Sequence, residues 1–228
     1  MRRFPAQFAD LLMPRGRRFA GPPADPFFAD ARLIAPTKAK AAFALLERSL
    51  GPVVKPMERA IPPESIAGQT RNYQERLPKT VRVSTADIDA ARTKAASVAG
   101  EIGLTAMLRS ESYMEFAAKL AGRALDPAFG RQVLRYGPGD YAGPHTDHHP
   151  EEPRAKGGYF DLHLMFARDV ARQLLVYAKD GHLTETVDIS APGTVTAYRL
   201  PFWHYTTPLE ARGGRAARWV VLGTFLYA

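Results

Sequence analysis

The 228-residue chain contains no cysteine. Disulfides, thiolate-bound zinc, iron–sulfur centres and any mechanism built on a cysteine nucleophile are therefore excluded. It also has no run approaching the ~18 uninterrupted apolar residues that a membrane-crossing helix needs. The first residues are basic, but no apolar run of a secretory signal follows them. A cytoplasmic protein with no membrane partner is expected. Histidine is scarce too, at six, so the placing of each one carries information.

What is present is ordinary for a globular protein. Hydrophobic residues make up 46% and charged residues 24%, and a chain of this length can bury a real core. The formal net charge of +8 is uneven: residues 1–60 hold 11 Lys/Arg against 5 Asp/Glu, and residues 61–228 hold 20 against 18. A basic N-terminal region can contact nucleic acid or an acidic protein. No aromatic-interleaved basic motif accompanies it here, so a solvated surface is the favoured reading and nucleic acid is not the favoured partner.

Ten of the 19 prolines fall in residues 1–65, which punctuates that region with turns and extended pieces. Lys38 to Leu50 reads as a short helix stopped by Gly51-Pro52. Thr85-Ala86-Asp87-Ile88 resembles an N-cap with an acidic first turn, predicting a helix to about Val98. Another helix is expected from Ser110 or Ser112, with Met114, Phe116, Ala117, Leu120, Ala121 and Leu125 as its core stripe. From residue 131 the pattern turns to strands. Phe160, Leu162, Leu164 and Phe166 alternate with Tyr159, Asp161, His163 and Met165, so one strand has two distinct faces. Strands are also expected at 132–136, 173–178, 184–189, 194–200, 203–206 and 218–227, with a hairpin turn at 179–182. The fold class is mainly β with flanking helices (α+β), an antiparallel sandwich or barrel with helices on one side. Residues 1–130 form a wrapping and support region and residues 131–228 the core, together one compact domain.

The stretch from Tyr136 to His149 (YGPGDYAGPHTDHH) organises this core. His145 and Asp147, two apart, share one face if the segment is a strand, and both then reach one metal ion. His204, in the aromatic stretch Pro201–Leu209, fits a third ligand from a facing strand. Two imidazoles and a carboxylate on one side of a metal leave positions open for reactants, which suits Fe(II) but also other divalent metals. If the strand ran on, His149 would join His145 and Asp147 and make a site without His204. Pro150 ends it, which leaves His148 and His149 as rim residues facing substrate. Arg218 opens the last strand on an otherwise mostly apolar face. A buried guanidinium needs an anionic partner, and a carboxylate is its best bidentate match. A dicarboxylate chelating the metal at one end and meeting Arg218 at the other satisfies both.

The combination resembles the Fe(II)- and 2-oxoglutarate-dependent dioxygenases, in particular their prolyl-hydroxylase-like branch. Tyr136, Gly139, Pro144, His145 and Asp147 carry the likeness in one block, and His204, Pro208 and Arg218 in the other. The resemblance covers about residues 130–228. It implies a double-stranded β-helix (jelly roll) with iron held by His145, Asp147 and His204. It also implies 2-oxoglutarate as cosubstrate on Arg218 and Tyr136, with His163 a weaker candidate for that contact. O₂ would be consumed and succinate and CO₂ released as a small-molecule, amino-acid or peptide substrate is hydroxylated. Tyr141 stands one residue nearer Tyr136 than the family pattern expects. The loop 211–215 is longer, which makes Arg215 a rival to Arg218. A nucleic-acid demethylase of the same chemistry, or a non-enzymatic metal-containing jelly-roll module, are the alternatives.

Overall fold

The computed structural model describes residues 3–5, 7–11, 26–62, 79–147, 153–179 and 182–228. In chain order these give β1 (Phe27–Asp30), α1 (Pro36–Ser49), β2 (Lys55–Ala60), β3 (Thr80–Asp87), α2 (Lys94–Glu101), α3 (Leu104–Leu108), α4 (Glu111–Ala121), β4 (Leu125–Tyr136) and β5 (Tyr141–Ala142). There follow β6 (Tyr159–Arg168), β7 (Val170–Arg172), β8 (Leu174–Lys179), β9 (His182–Asp188), β10 (Val195–Leu200), β11 (His204–Thr206), β12 (Glu210–Ala211) and β13 (Ala217–Tyr227).

The main sheet is antiparallel, ordered β1-β10-β6-β13-β4-β3-β2, with β5 added on β3. A smaller sheet, β11-β8-β9, faces it, and β12 pairs with β7. The two faces of β6 behave as their alternation predicts. Phe160, Leu162, Leu164 and Phe166 pack with the helices, against Phe43, Leu46, Tyr113 and Phe116. Tyr159 and Met165 pack on the opposite side with Leu175 and Tyr177 of the smaller sheet. The sheet is thus a wall with a helical layer behind it and a cavity in front, the expected curled sheet with helices on one side.

Three strands before residue 131 were not expected. β1 pairs with β10, and β2 and β3 extend the sheet beyond β4. The helix expected over 85–98 begins later. Thr85 belongs to β3 and pairs with Leu134 of β4, because the β-branched run Thr80, Val81, Val83, Thr85 has a sheet edge to join. The Asp87 carboxylate does accept backbone N–H groups, from Asp89 at 2.8 Å and Ala90 at 3.2 Å. These close a turn after a strand and do not start a helix. The true N-cap of α2 is Thr93, which accepts from the Ala96 N–H at 3.1 Å. α1 starts two residues before Lys38, with Pro36 in its first turn, where its missing N–H costs nothing. α4 is capped by Ser110.

Glu47 ties the helical layer to the wall. Its carboxylate accepts two bonds from Arg135 of β4, at 3.0 and 2.8 Å, and one from the Trp219 indole of β13 at 2.8 Å.

Candidate active site

The site begins at the turn Gly137–Asp140. Gly139 has φ +79°, the left-handed region that favours glycine, and the Arg82 guanidinium packs where a Cβ would stand. Arg82 donates to the Gly139 carbonyl at 2.6 Å and pairs with Asp140 at 3.3 Å. Residue 209 completes the clamp, exchanging backbone bonds with Gly139 and Asp140. The chain leaves this anchored turn as β5.

His145 and His204 then face each other across an isolated antiparallel bridge, each N–H donating to the other carbonyl at 3.0 Å. The strand expected to carry His145 and Asp147 together stops there. Asp147 has φ +52°, the left-handed region that Asp tolerates better than most residues. A backbone turn, not strand alternation, swings its carboxylate back between the imidazoles. The Tyr159 hydroxyl holds that turn by donating to the Asp147 carbonyl.

Asp147 Oδ1 lies 3.1 Å from His145 Nε2, and Oδ2 lies 3.3 Å from His204 Nε2. One ligand atom from each of the three residues falls within 4.8 Å of the others. Both Nδ1 atoms are already engaged with backbone carbonyls, His145 with Gly143 at 2.6 Å and His204 with Phe202 at 2.9 Å. That sets the tautomers and leaves both Nε2 lone pairs for a common ligand. Burial opposes the charge on Asp147, but the two imidazoles outweigh it and hold its pKa well below the ordinary value. Burial also lowers His145, yet the Asp147 carboxylate raises it overall. His204 is lowered by burial and by His145.

Arg218 stands on the same cavity wall at 1% exposure. Its Nε donates to Gln173 Oε1 at 2.7 Å, its Nη1 approaches Met165 Sδ at 3.2 Å, and its Cζ lies 4.3 Å from the Tyr136 ring centre. Burial lowers its pKa, but a guanidinium stays charged at any ordinary pH. Among the described residues no carboxylate pairs with it. Gln173 is fully buried and was not foreseen. Its amide N–H₂ donates to the Asp140 and Thr207 carbonyls at 3.3 and 3.0 Å, which turns its oxygen toward Arg218. Arg215, the rival, is exposed.

His145, Asp147, His204, Arg218 and Tyr136 line one cavity of ≈ 420 Å³. Tyr136, fully inside, has its pKa raised by burial. His163 also faces in, with its ring 4.4 Å from that of Tyr198, which is in turn 5.4 Å from His204. Tyr198 and Asp161 are further lining residues that sequence reasoning did not single out. His148 and His149 lie outside the described residues.

No family model and no curated protein matches this sequence. Solved structures do match. A Pseudomonas putida prolyl-4-hydroxylase superposes with a TM-score of 0.52 at 16% identity, over 90% of this chain and 94% of the other. A 2OG-Fe(II) oxygenase family oxidoreductase from Burkholderia pseudomallei gives 0.55 at 14%, over 88% and 85%. A non-heme alpha ketoglutarate dependent epimerase of nogalamycin biosynthesis gives 0.56 at 13%, over 90% and 78%. The fold is that of the 2-oxoglutarate oxygenases. It includes the prolyl hydroxylases among its matches and extends over nine-tenths of the chain, well beyond the C-terminal half that the motifs cover. In this oxygenase fold the jelly-roll wall is the sheet carrying β4, β6 and β13. Among the described residues, no helix is long and apolar enough to cross a membrane.

Proposed function

We propose that this protein is an Fe(II)- and 2-oxoglutarate-dependent oxygenase that hydroxylates an organic substrate with release of succinate and CO₂. One observation carries the reading: a fully buried guanidinium, Arg218, faces the same cavity as a preassembled His-Asp-His cluster and has no carboxylate partner of its own among the described residues. A buried cation left so is unfavourable unless a ligand completes it. A chelating dicarboxylate does that while spanning to the cluster.

His145, Asp147 and His204 would hold the iron through two Nε2 atoms and one carboxylate, leaving the remaining positions for reactants. Bound iron with 2-oxoglutarate supplies the oxidising equivalents from O₂. The chain's own residues do the rest. Gln173 and Tyr136 hold the Arg218 fork in one orientation, so the distal carboxylate is received in a fixed place. Carbonyls 143 and 202 hold the imidazoles so that no ring turn is needed when metal arrives. Val220, Leu222 and Leu175 exclude water from the cavity wall.

The test is direct. Anaerobic protein with Fe(II) and 2-oxoglutarate is expected to show a weak visible charge-transfer band, and admitting O₂ with a substrate panel to yield succinate. Asp147→Ala removes both signals. A folded wild-type protein that gives neither overturns the reading.

A further inference from the structure

One buried acid in the cavity has no task in holding the metal or the dicarboxylate. Asp161 points inward from β6 at 7% exposure, and its Oδ1 has no hydrogen-bond partner. His163, two residues along the same face, likewise leaves Nε2 unpartnered. The two side chains are 3.7 Å apart at their nearest polar atoms, beyond hydrogen-bond reach. Nearby cations do not answer the carboxylate. Arg131 gives its Nη1 to Asp89 at 3.1 and 3.2 Å and has its Nε unpartnered, and Arg59 is exposed on β2. Asp161 sits opposite Thr224 in the ladder, six residues and about 20 Å of strand from Arg218. It is also in register with Tyr198, whose ring adjoins His204. The acid thus lines the same cavity as the metal cluster, displaced along the strand from the arginine.

This layout sorts two ligands by charge. A divalent metal, Asp147, a doubly charged cosubstrate and Arg218 balance one another. Asp161 is then the buried charge left over, facing the space where a substrate must sit. We propose that Asp161, flanked by His163, is the substrate-recognition subsite for a cationic nitrogen, and that the substrate class is an organic ammonium or guanidinium. The carboxylate takes the charged N–H, and the His163 Nε2 stands beside it for a second N–H from the same group. The inference rests on the reading that a dicarboxylate occupies the Arg218 end.

The test uses protein loaded with Zn(II) and 2-oxoglutarate, so that Asp147 is neutralised and no turnover occurs. Dissociation constants are measured by ligand-observed NMR titration for n-butylammonium, n-butylguanidinium and the neutral 1-butanol. The wild type should bind at least one cation about tenfold to a hundredfold more tightly than 1-butanol, the range expected of a charge-assisted hydrogen bond. Asp161→Asn should abolish that preference and leave 2-oxoglutarate affinity unchanged. The same variant should melt no lower than wild type in the unliganded state, since it removes an uncompensated charge; a structural carboxylate would instead lose stability. Equal binding of cation and alcohol, no cation binding in wild type, or an undiminished preference in Asp161→Asn overturns the proposal. Failure of 2-oxoglutarate to bind, read in the same samples by equilibrium dialysis, is a separate result. It overturns the oxygenase reading instead.

Discussion

Gln173 fixes the direction of Arg218. Its oxygen accepts from the guanidinium Nε, and its nitrogen is spent on two carbonyls from the turn at 140 and the strand end at 207. Gln173→Leu should therefore weaken 2-oxoglutarate binding severalfold. It should also cost about 1–3 kcal/mol of stability, because a buried donor is left unmet. Calorimetric titration of 2-oxoglutarate and a denaturant melt check the two halves, and Gln173→Glu should also weaken affinity, since its charge competes for the guanidinium. Arg218 could be read from the sequence because an arginine on an apolar strand face is conspicuous. Gln173 could not, since its partner is 45 residues away and a single amide has no pattern. Asp147 shows the reverse case. Strand alternation singled the residue out, yet a left-handed turn brings it to the histidines.

At the level of elements, α1 is fastened through a single carboxylate. Burial alone would raise the pKa of Glu47, but its bonds to Arg135 and Trp219 and the nearby guanidinium charges lower it overall. A carboxylate depressed in the folded state contributes stability above its unfolded pKa and loses it as pH falls through the lower folded value. Melting temperature should thus decline as pH drops below about 4.5, and Glu47→Gln should flatten that part of the profile. The start of α2 teaches a related lesson. Thr85 and Thr93 look equally able to cap a helix, and only the neighbouring strand β4 decides that the first belongs to a sheet. Thr93→Ala should cost about 1 kcal/mol by chemical denaturation, whereas the hydroxyl of Thr85 caps nothing; it donates to the Val133 carbonyl at 3.3 Å across the sheet.

For the whole molecule, a helical block followed by about seven closely spaced strands was enough to expect an antiparallel sandwich or barrel with helices on one side. The strands β1, β2 and β3 escaped notice because they are short or proline-flanked and find their partners far along the chain. Asp161 was equally hidden, as it reads like any polar residue on an alternating strand. On the proposed function, metal and cosubstrate bind only the assembled wall, and both should stabilise it by mass action. Zn(II) with 2-oxoglutarate at 100 times its dissociation constant should add about 2.7 kcal/mol, seen as a higher melting temperature that Arg218→Ala lessens at the same ligand concentrations.

β13 lies between β4 and β6 and bonds to both. During synthesis, everything up to residue 216 emerges before the strand that joins the two halves of the wall. Until then β4 and β6 each offer an open edge, and their apolar inner faces have no seam. The guanidinium arrives with that same strand, so the anion receptor appears only at the moment the sheet is closed. A nascent or C-terminally trimmed chain would present His145 and His204 without the guanidinium to which the proposed function assigns the dicarboxylate. Completion of the fold and competence for cosubstrate are thus one event in time.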